Sequence, residues 1–152
     1  MSKLFRILGW ALVSPAMLLL LPAETEAQSD ADRKAVEEAV LDYVEGVYLV
    51  QPERIERSVH KDLRKVGYGR RDSSAEYRVM PMTYQELYDL AAKWNANGHV
   101  DAETAPKEII VLDVLDQTAV AKLTAAWGVD YFQLGKYDGK WMIVNVVWQT
   151  MD

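Results

Sequence analysis

The spacing of apolar residues changes once along this chain, and the change limits the folds it can adopt. Before Pro106 apolar residues recur every three to four positions, as on one face of a helix, whereas after it they alternate. The alternating segments are four in number, at 108–115, 118–127, 129–137 and 140–149. Asp138-Gly139 joins the last two, and Asp-Gly in this setting is the strongest short-range sign of a β-hairpin. Helices followed by a four-strand antiparallel meander indicate an α+β fold.

Three helices are predicted before the meander. The first runs from Ser29 to about Val50, because its valines and Tyr43 form one apolar stripe. Pro52 ends that helix and suits the first turn of a short second one. A capping box, Thr83-x-x-Glu86, begins the third helix, for which Gly98 is the expected stop. Two short strands, 63–70 and 75–80, are predicted between the second and third helices.

The turn at 138–139 predicts which side chains of the last hairpin share a face. A two-residue turn pairs Tyr137 with Lys140 and, if neither strand is interrupted, Phe132 with Asn145. The face toward the helices then carries Asp130, Phe132, Leu134, Trp141, Ile143, Asn145 and Val147. The outer face carries Tyr131, Gln133, Met142, Val144, Val146 and Trp148. Because this outer face is largely apolar, we expect a homodimer that forms through it.

The turn at 116–117 predicts in the same way which side chains of the hairpin before it share a face. The uninterrupted pairing places Ile110 and Leu112 on the helix side, together with the alanines at 119, 121 and 125. Small side chains in a row between helices and sheet leave space for a cavity, which is the form that small-molecule sites take.

Residues 1–27 have the three parts of a secretory signal peptide. Lys3 and Arg6 precede an apolar run of about fifteen residues, and small or polar residues follow it up to Ala27. Cleavage is expected after Ala27, with Ala23 as the alternative, which leaves a domain of residues 28–152. The run is shorter than the roughly 20 residues that span a bilayer. The domain is therefore expected to be exported, periplasmic or secreted, without a membrane anchor; an uncleaved anchor is the alternative.

Composition excludes several functions. The 152 residues carry a net charge of −6, whereas a nucleic-acid-binding domain is normally basic. Cysteine is absent and histidine occurs only as His60 and His99, so thiolate and His-rich metal sites are excluded. Neither a metal nor a cofactor is expected. A basic stretch between Arg54 and Arg78 is interpreted as solvated surface, with the steering of an anionic ligand as the alternative.

Two segments carry a resemblance to a known family. Both resemble the nuclear transport factor two-like superfamily, and within it the putative lumazine-binding, SnoaL-like bacterial group. The first segment is VDYFQLGKYDGKWMIVNVVWQT at Val129–Thr150, and the second is VHKDL at Val59–Leu63. The resemblance implies a cone-shaped fold in which three helices pack on a curved, mostly antiparallel sheet. That fold carries enzymes, binding proteins and assembly modules, so the function depends on the site.

The ketosteroid isomerases of this superfamily suggest a candidate catalytic set. Tyr43 resembles their oxyanion-binding tyrosine and Asp130 their second, acidic donor, but Gly67 stands where they carry the carboxylate base. His60 replaces that base only if the chain folds back on it. The alternative is that Tyr43 packs in the core, Asp130 lies at a strand edge and His60 bonds the backbone.

These observations leave three functional hypotheses. The preferred one is an exported protein that binds an apolar or aromatic small molecule. Its predicted ligand-binding residues are Tyr43, His60, Tyr88, Trp127, Asp130, Phe132 and Asn145. The second is a SnoaL-like cyclase or ketosteroid-isomerase-like enzyme using His60, Tyr43 and Asp130. The third is a structural module that binds a partner protein. Convergence of His60 and Asp130 in one cavity distinguishes the second from the first.

Overall fold

The computed structural model describes residues 22–151, with side chains from residue 28 onward. The predicted signal peptide therefore lies outside the described residues, apart from the backbone of its last six positions. Three helices and six strands follow one another in the described part of the chain: α1 Pro22–Tyr48, α2 Pro52–Ser58, β1 Val59–Gly69, β2 Arg78–Met82, α3 Tyr84–Ala91, β3 Lys107–Val114, β4 Thr118–Ala125, β5 Gly128–Tyr137 and β6 Lys140–Gln149. The α+β order and the final meander are confirmed.

The strands form one sheet in the order β2-β1-β6-β5-β4-β3. All neighbours are antiparallel except β1 and β6, which run parallel. The turn between β5 and β6 has positive φ at both Asp138 (49°) and Gly139 (80°), as a type I′ hairpin turn requires. The predicted mostly antiparallel sheet is therefore correct, and its hairpin turn forms where Asp-Gly indicated it.

All three helices lie against one face of this sheet, which we call the inner face. The stripe of α1 is buried, with Val36, Val40 and Val44 at 0% exposure. Burial of each such side chain stabilises the fold by roughly 1.5–3 kcal/mol. The alanines of β4 lie in the core, and α1 packs against β3, β4 and β6. The small side chains thus accommodate a closely packed helix instead of bordering the predicted cavity.

Two helix ends differ from the prediction. α1 begins at Pro22 instead of at Ser29. The capping box at Thr83 and Glu86 forms as predicted, but α3 ends at Ala91 and turns occupy the positions up to Gly98. In the described residues, no helix combines the length and apolar character needed to cross a membrane.

A bulge in β6 changes the predicted faces of the last hairpin. Leu134 pairs with Ile143 as expected, but Phe132 pairs with Val146, because Val144 is an extra residue without a partner in β5. Beyond this bulge every side chain of β6 is exchanged between faces. Val146 is therefore fully buried on the inner face, whereas Asn145 bonds the exposed Gln133 on the outer face, at 3.2 Å from nitrogen to oxygen. The predicted inner position of Asn145 and outer position of Val146 are wrong.

A second bulge has the same effect in β3. Val114 pairs with Ala119 as predicted, but Leu112 is an extra residue, so Val111 instead of Leu112 faces Ala121. Ile110 and Leu112 consequently lie on the outer face, 43% and 51% exposed. Tyr131 and Val147 extend this apolar outer surface. The homodimer through the outer face remains a prediction, with a changed set of residues.

Candidate functional site

A buried cluster of three polar side chains lies on the inner face. The Lys65 ammonium donates to the Tyr43 hydroxyl oxygen at 2.6 Å and to Asp130 Oδ1 at 3.2 Å. The Tyr43 hydroxyl in turn donates to Asp130 Oδ1 at 3.3 Å. Trp127 Nε1 donates to the second carboxylate oxygen of Asp130. Since Tyr43, Lys65 and Asp130 are at most 7% exposed, the protein itself satisfies these polar groups.

Three elements bring the cluster together. Tyr43 belongs to the buried stripe of α1, and Asp130 faces inward near the start of β5. Lys65 faces inward from β1, where Leu63, Lys65 and Gly67 alternate with exposed or partly exposed residues. β1 and β6 pair in parallel, so Lys65 lies beside Val146 on the same face.

Burial shifts the pKa values of two members of the cluster. Removal from water raises the pKa of Tyr43 well above its ordinary value, and the charge of Asp130 adds to the effect. Tyr43 is therefore a neutral phenol. Removal from water also lowers the pKa of Lys65, although the adjacent Asp130 carboxylate acts in the opposite direction. The buried amine consequently loses its proton more readily than a surface lysine does.

The space in which Gly67 would carry a side chain is occupied by a neighbouring residue. A Cβ atom at this position would overlap the indole ring of Trp148, which lies directly over the glycine. Trp148 Nε1 is buried without a hydrogen-bond partner. At the position where the isomerases carry a base, this chain therefore has an indole and no carboxylate.

A pocket of about 80 Å3 lies beside the cluster, between α1, α3 and the inner face. Its walls are apolar apart from the tips of the aromatic residues and one amine. The lining residues are Tyr43, Val47, Lys65, Met82, Leu87, Leu90, Trp94, Trp127 and Trp148. Edge-to-face contacts of Trp127 with Trp94 (5.4 Å between ring centroids) and Tyr43 (6.4 Å) hold part of this wall.

The structure brings together four of the predicted ligand-binding residues. Tyr43 and Trp127 line the pocket, Asp130 lies behind them in the cluster, and the Phe132 ring packs against Tyr43 at 5.0 Å. Tyr88 is partly buried and stacks on Tyr84 outside the pocket lining.

His60 and Asn145 lie elsewhere. The His60 ring stacks on Tyr137 at 4.3 Å, and its Nδ1 accepts a hydrogen bond from the backbone N–H of Asp62. Tyr137 and Asp130 are at opposite ends of β5, roughly 23 Å apart at about 3.3 Å per residue. His60 and Asp130 therefore do not converge, and Asn145 lies on the opposite face of the sheet.

Lys65 is the member of the buried cluster that the sequence interpretation does not include. That interpretation places the basic stretch between Arg54 and Arg78, and Lys65 with it, on solvated surface. The alternation of side chains along the strand indicates the position of Lys65. Residues two apart lie on the same face, and the resemblance assigns Gly67, two residues after Lys65, to the inner site. A lysine on that face has to be buried, and Asp130 is the inner-face carboxylate that neutralises it.

The arrangement suits an organic ligand better than a metal. No group of three or more His, Cys, Asp or Glu side chains in the described range is placed to hold a metal ion. The Lys65 ammonium, which has three N–H donors and two partners, and the unpartnered Nε1 of Trp148 instead provide donor capacity beside an apolar space. Such a combination orients a small molecule by a few polar contacts.

Comparison with solved structures agrees with this architecture. A nuclear transport factor two-like (NTF2-like) protein of unknown function from Methylobacillus flagellatus KT is 26% identical, with a TM-score of 0.61 over 80% of this chain and 94% of its own. An NTF2-like protein with a cystatin-like fold from Novosphingobium aromaticivorans is 13% identical, with a TM-score of 0.62 over 90% and 92%. A putative scytalone dehydratase from the same organism is 13% identical, with a TM-score of 0.54 over 84% and 89%. The last two show the fold alone.

The helices, the sheet and the pocket between them define a nuclear transport factor two-like α+β protein. Residues 31–149 match the family described as putative lumazine-binding, and the chain belongs to that family. No curated protein matches it.

Proposed function

We propose that the chain is an exported protein that binds a small apolar or aromatic molecule between α1, α3 and the inner face. The observation that carries the proposal is the pocket, which is lined by three indoles, the Tyr43 ring and the Lys65 side chain. The family description supports a ligand-binding role. The export part rests on the signal-peptide pattern of residues 1–27.

The volume of the pocket limits the size of the ligand that it can hold. A site for one water needs about 10–15 Å3, so 80 Å3 accommodates about five waters, whereas pockets for drug-sized ligands hold about 300–1,000 Å3. A compact ligand fits directly. An aromatic ligand requires movement of the partly exposed Met82, Leu90 or Trp94 at the rim, and Met82 is the most adaptable of these side chains.

Binding is favoured over the histidine-dependent enzyme hypothesis. His60 stacks on Tyr137 at the far end of β5, and an indole covers the Gly67 position of the familiar base. An oxyanion-stabilising pair has to donate hydrogen bonds, whereas here Asp130 accepts them from Lys65 and from the Tyr43 hydroxyl.

A graded ligand series tests the proposal. Thermal unfolding is measured with 1-butanol, phenol and indole, and tryptophan fluorescence is followed in parallel, because three of the five tryptophans line the pocket. A ligand at one hundred times its Kd stabilises the folded state by about 2.7 kcal/mol.

Leu90→Trp should fill the rim and abolish both signals. The matched control is Leu115→Trp, at an exposed site beyond β3. Equal responses of the two variants, or no response of the wild type to any of the three ligands, would contradict binding in this pocket.

A further inference from the structure

The Lys65 amine is the one aliphatic amine among the residues that line the pocket. Its nitrogen lies 5.3 Å from the ring centroid of Tyr43 and 5.3 Å from that of Trp148, and both rings are part of the pocket wall. The Lys65 side chain is only 4% exposed. The nitrogen therefore lies close to two rings of the pocket wall and is largely shielded from bulk water.

A lysine with a purely structural role would add little to the stability of the protein at this position. A buried ion pair contributes little net stability, because desolvation of the two charges offsets their attraction, and apolar replacements are often neutral or stabilising. Lys65 is also one of the residues that line the pocket. Its position thus brings a nucleophile to the ligand space.

We infer that Lys65 captures small carbonyl compounds, short aldehydes and ketones, as a reversible imine in this pocket. The inference rests on the proposed binding function and names its ligand class. The size of the pocket supports it, since space for about five waters matches a molecule of about five heavy atoms, such as butanal.

The neighbouring groups supply the proton transfers of the reaction. Proton transfer from the Lys65 ammonium to the Asp130 carboxylate, 3.2 Å away, leaves a neutral amine and a carboxylic acid. The nitrogen lone pair attacks the carbonyl carbon while the C=O π pair moves to oxygen, and one nitrogen proton passes to that oxygen to give the carbinolamine. Asp130 then protonates the hydroxyl, which leaves as water as the nitrogen lone pair forms the C=N bond. The iminium that results is positively charged and pairs again with the Asp130 carboxylate. Only protons and water are exchanged, so no oxidant or reductant is needed.

The pKa direction of Lys65 is consistent with this chemistry. Burial lowers the pKa of Lys65, and the neutral, nucleophilic fraction rises about tenfold for each unit of decrease. Tyr43 remains a neutral phenol and keeps a hydrogen-bonding hydroxyl 2.6 Å from the nitrogen.

Reductive trapping tests the inference. The full chain is incubated at pH 7 with butanal and cyanoborohydride, which reduces the imine to a stable butyl-amine, and the modified lysines are located by peptide mapping. We expect Lys65 to be labelled faster than the exposed Lys34, because its amine borders the pocket that holds the aldehyde and loses its proton more readily. Excess 1-butanol, which has the same carbon chain without a carbonyl, should slow labelling of Lys65 and leave Lys34 unchanged.

Two variants complete the experiment. Lys65→Arg keeps a positive charge beside Asp130 but forms no imine, so the fast label should disappear, whereas Lys34→Arg should retain it. If Lys65→Arg does not fold, the relative labelling rates in the wild type still decide the matter.

The outcomes separate this inference from the proposed function. Labelling of Lys65 no faster than of Lys34 overturns carbonyl capture. If 1-butanol, phenol or indole nevertheless raises the melting temperature of the wild type, and Leu90→Trp abolishes that shift, binding stands without it. If Lys65 is labelled fast and 1-butanol does not compete, the amine is reactive outside the pocket, and the inference also fails.

Discussion

The indole of Trp148 covers the backbone of Gly67 so closely that no side chain at position 67 can coexist with it in its present place. β1 and β6 run parallel with these two residues in register, so they face the same side of the sheet. The glycine thereby allows an indole to form one wall of the pocket.

Gly67→Ala should destabilise the protein by about 1–3 kcal/mol, the usual cost of overpacking. The physical reason is displacement of the Trp148 ring, which urea unfolding would detect. Trp148→Leu provides the control, since the alanine should cost much less in a chain that already lacks the indole. An equal cost of Gly67→Ala in both backgrounds would show that the clash is not its cause.

Asp130→Asn should destabilise the protein by about 3–5 kcal/mol, because it leaves the Lys65 ammonium buried without its counter-charge. Urea unfolding at pH 7 gives the free energy, and the exposed Asp116→Asn should change it little. The double variant Lys65→Met with Asp130→Asn should recover part of the loss. A double variant whose cost equals the sum of the single costs would argue against a coupled pair.

Tyr43→Phe should make the protein less sensitive to alkaline pH. The pKa of Tyr43 in the folded state lies above its unfolded value of about 10, because burial and Asp130 oppose ionisation. Its contribution to stability is therefore complete below pH 10 and is lost as the pH rises through the folded-state pKa.

Urea unfolding between pH 8 and pH 11 should accordingly show a steeper decline above pH 10 for the wild type than for Tyr43→Phe. Burial also raises the pKa of Tyr48, which is present in both proteins and gives a shared background. Tyr131→Phe, at a 51% exposed tyrosine, should follow the wild type. Parallel curves for Tyr43→Phe and the wild type would contradict the prediction.

Two glutamate substitutions on adjacent residues of β6 test the expected homodimer. Val146→Glu should unfold the protein, since Val146 is fully buried on the inner face. Val147→Glu, on the outer face at 38% exposure, should leave the circular dichroism spectrum unchanged and convert the dimer to a monomer in light scattering. A wild type that is monomeric at micromolar concentration would refute the homodimer.

Local signals predicted most of the fold. Asp138-Gly139 specified the hairpin through its backbone conformation, the capping box began α3, and the stripe of α1 located the helix–sheet core. These features depend on residues a few positions apart, so a sequence pattern contains them.

The two bulges could not be predicted in the same way. Val144 and Leu112 are apolar strand residues like their neighbours, and only pairing with the adjacent strand shows that each is an extra residue. A single extra residue exchanges all later side chains between faces. That is why Asn145 was placed inside and Val146 outside.

The site could be predicted only in part, because one part follows from the sequence and the other depends on contacts between distant segments. Tyr43 and Asp130 were expected near one another from a family resemblance, and they are joined by a hydrogen bond. The burial of Lys65 does not follow from the basic stretch around it, because lysine is almost never fully buried unless it is paired. Its burial depends on a carboxylate that is distant in the sequence, on β5.

The parallel pairing of β1 with β6 has a consequence for how the chain acquires its structure. Val59 pairs with Ile143 and Gly67 with Trp148, so the sheet joins its two halves only through β6, which follows the other five described strands in the sequence. Pairing between such distant segments slows folding, since the intervening loop must close before any contact compensates for its lost entropy. During synthesis β1 has no β6 to pair with, and Lys65 has neither Asp130 nor the Trp148 wall. A chain with this topology cannot complete its sheet before β6 has been synthesised, so β1 has to wait for a partner strand about 80 residues away in the sequence.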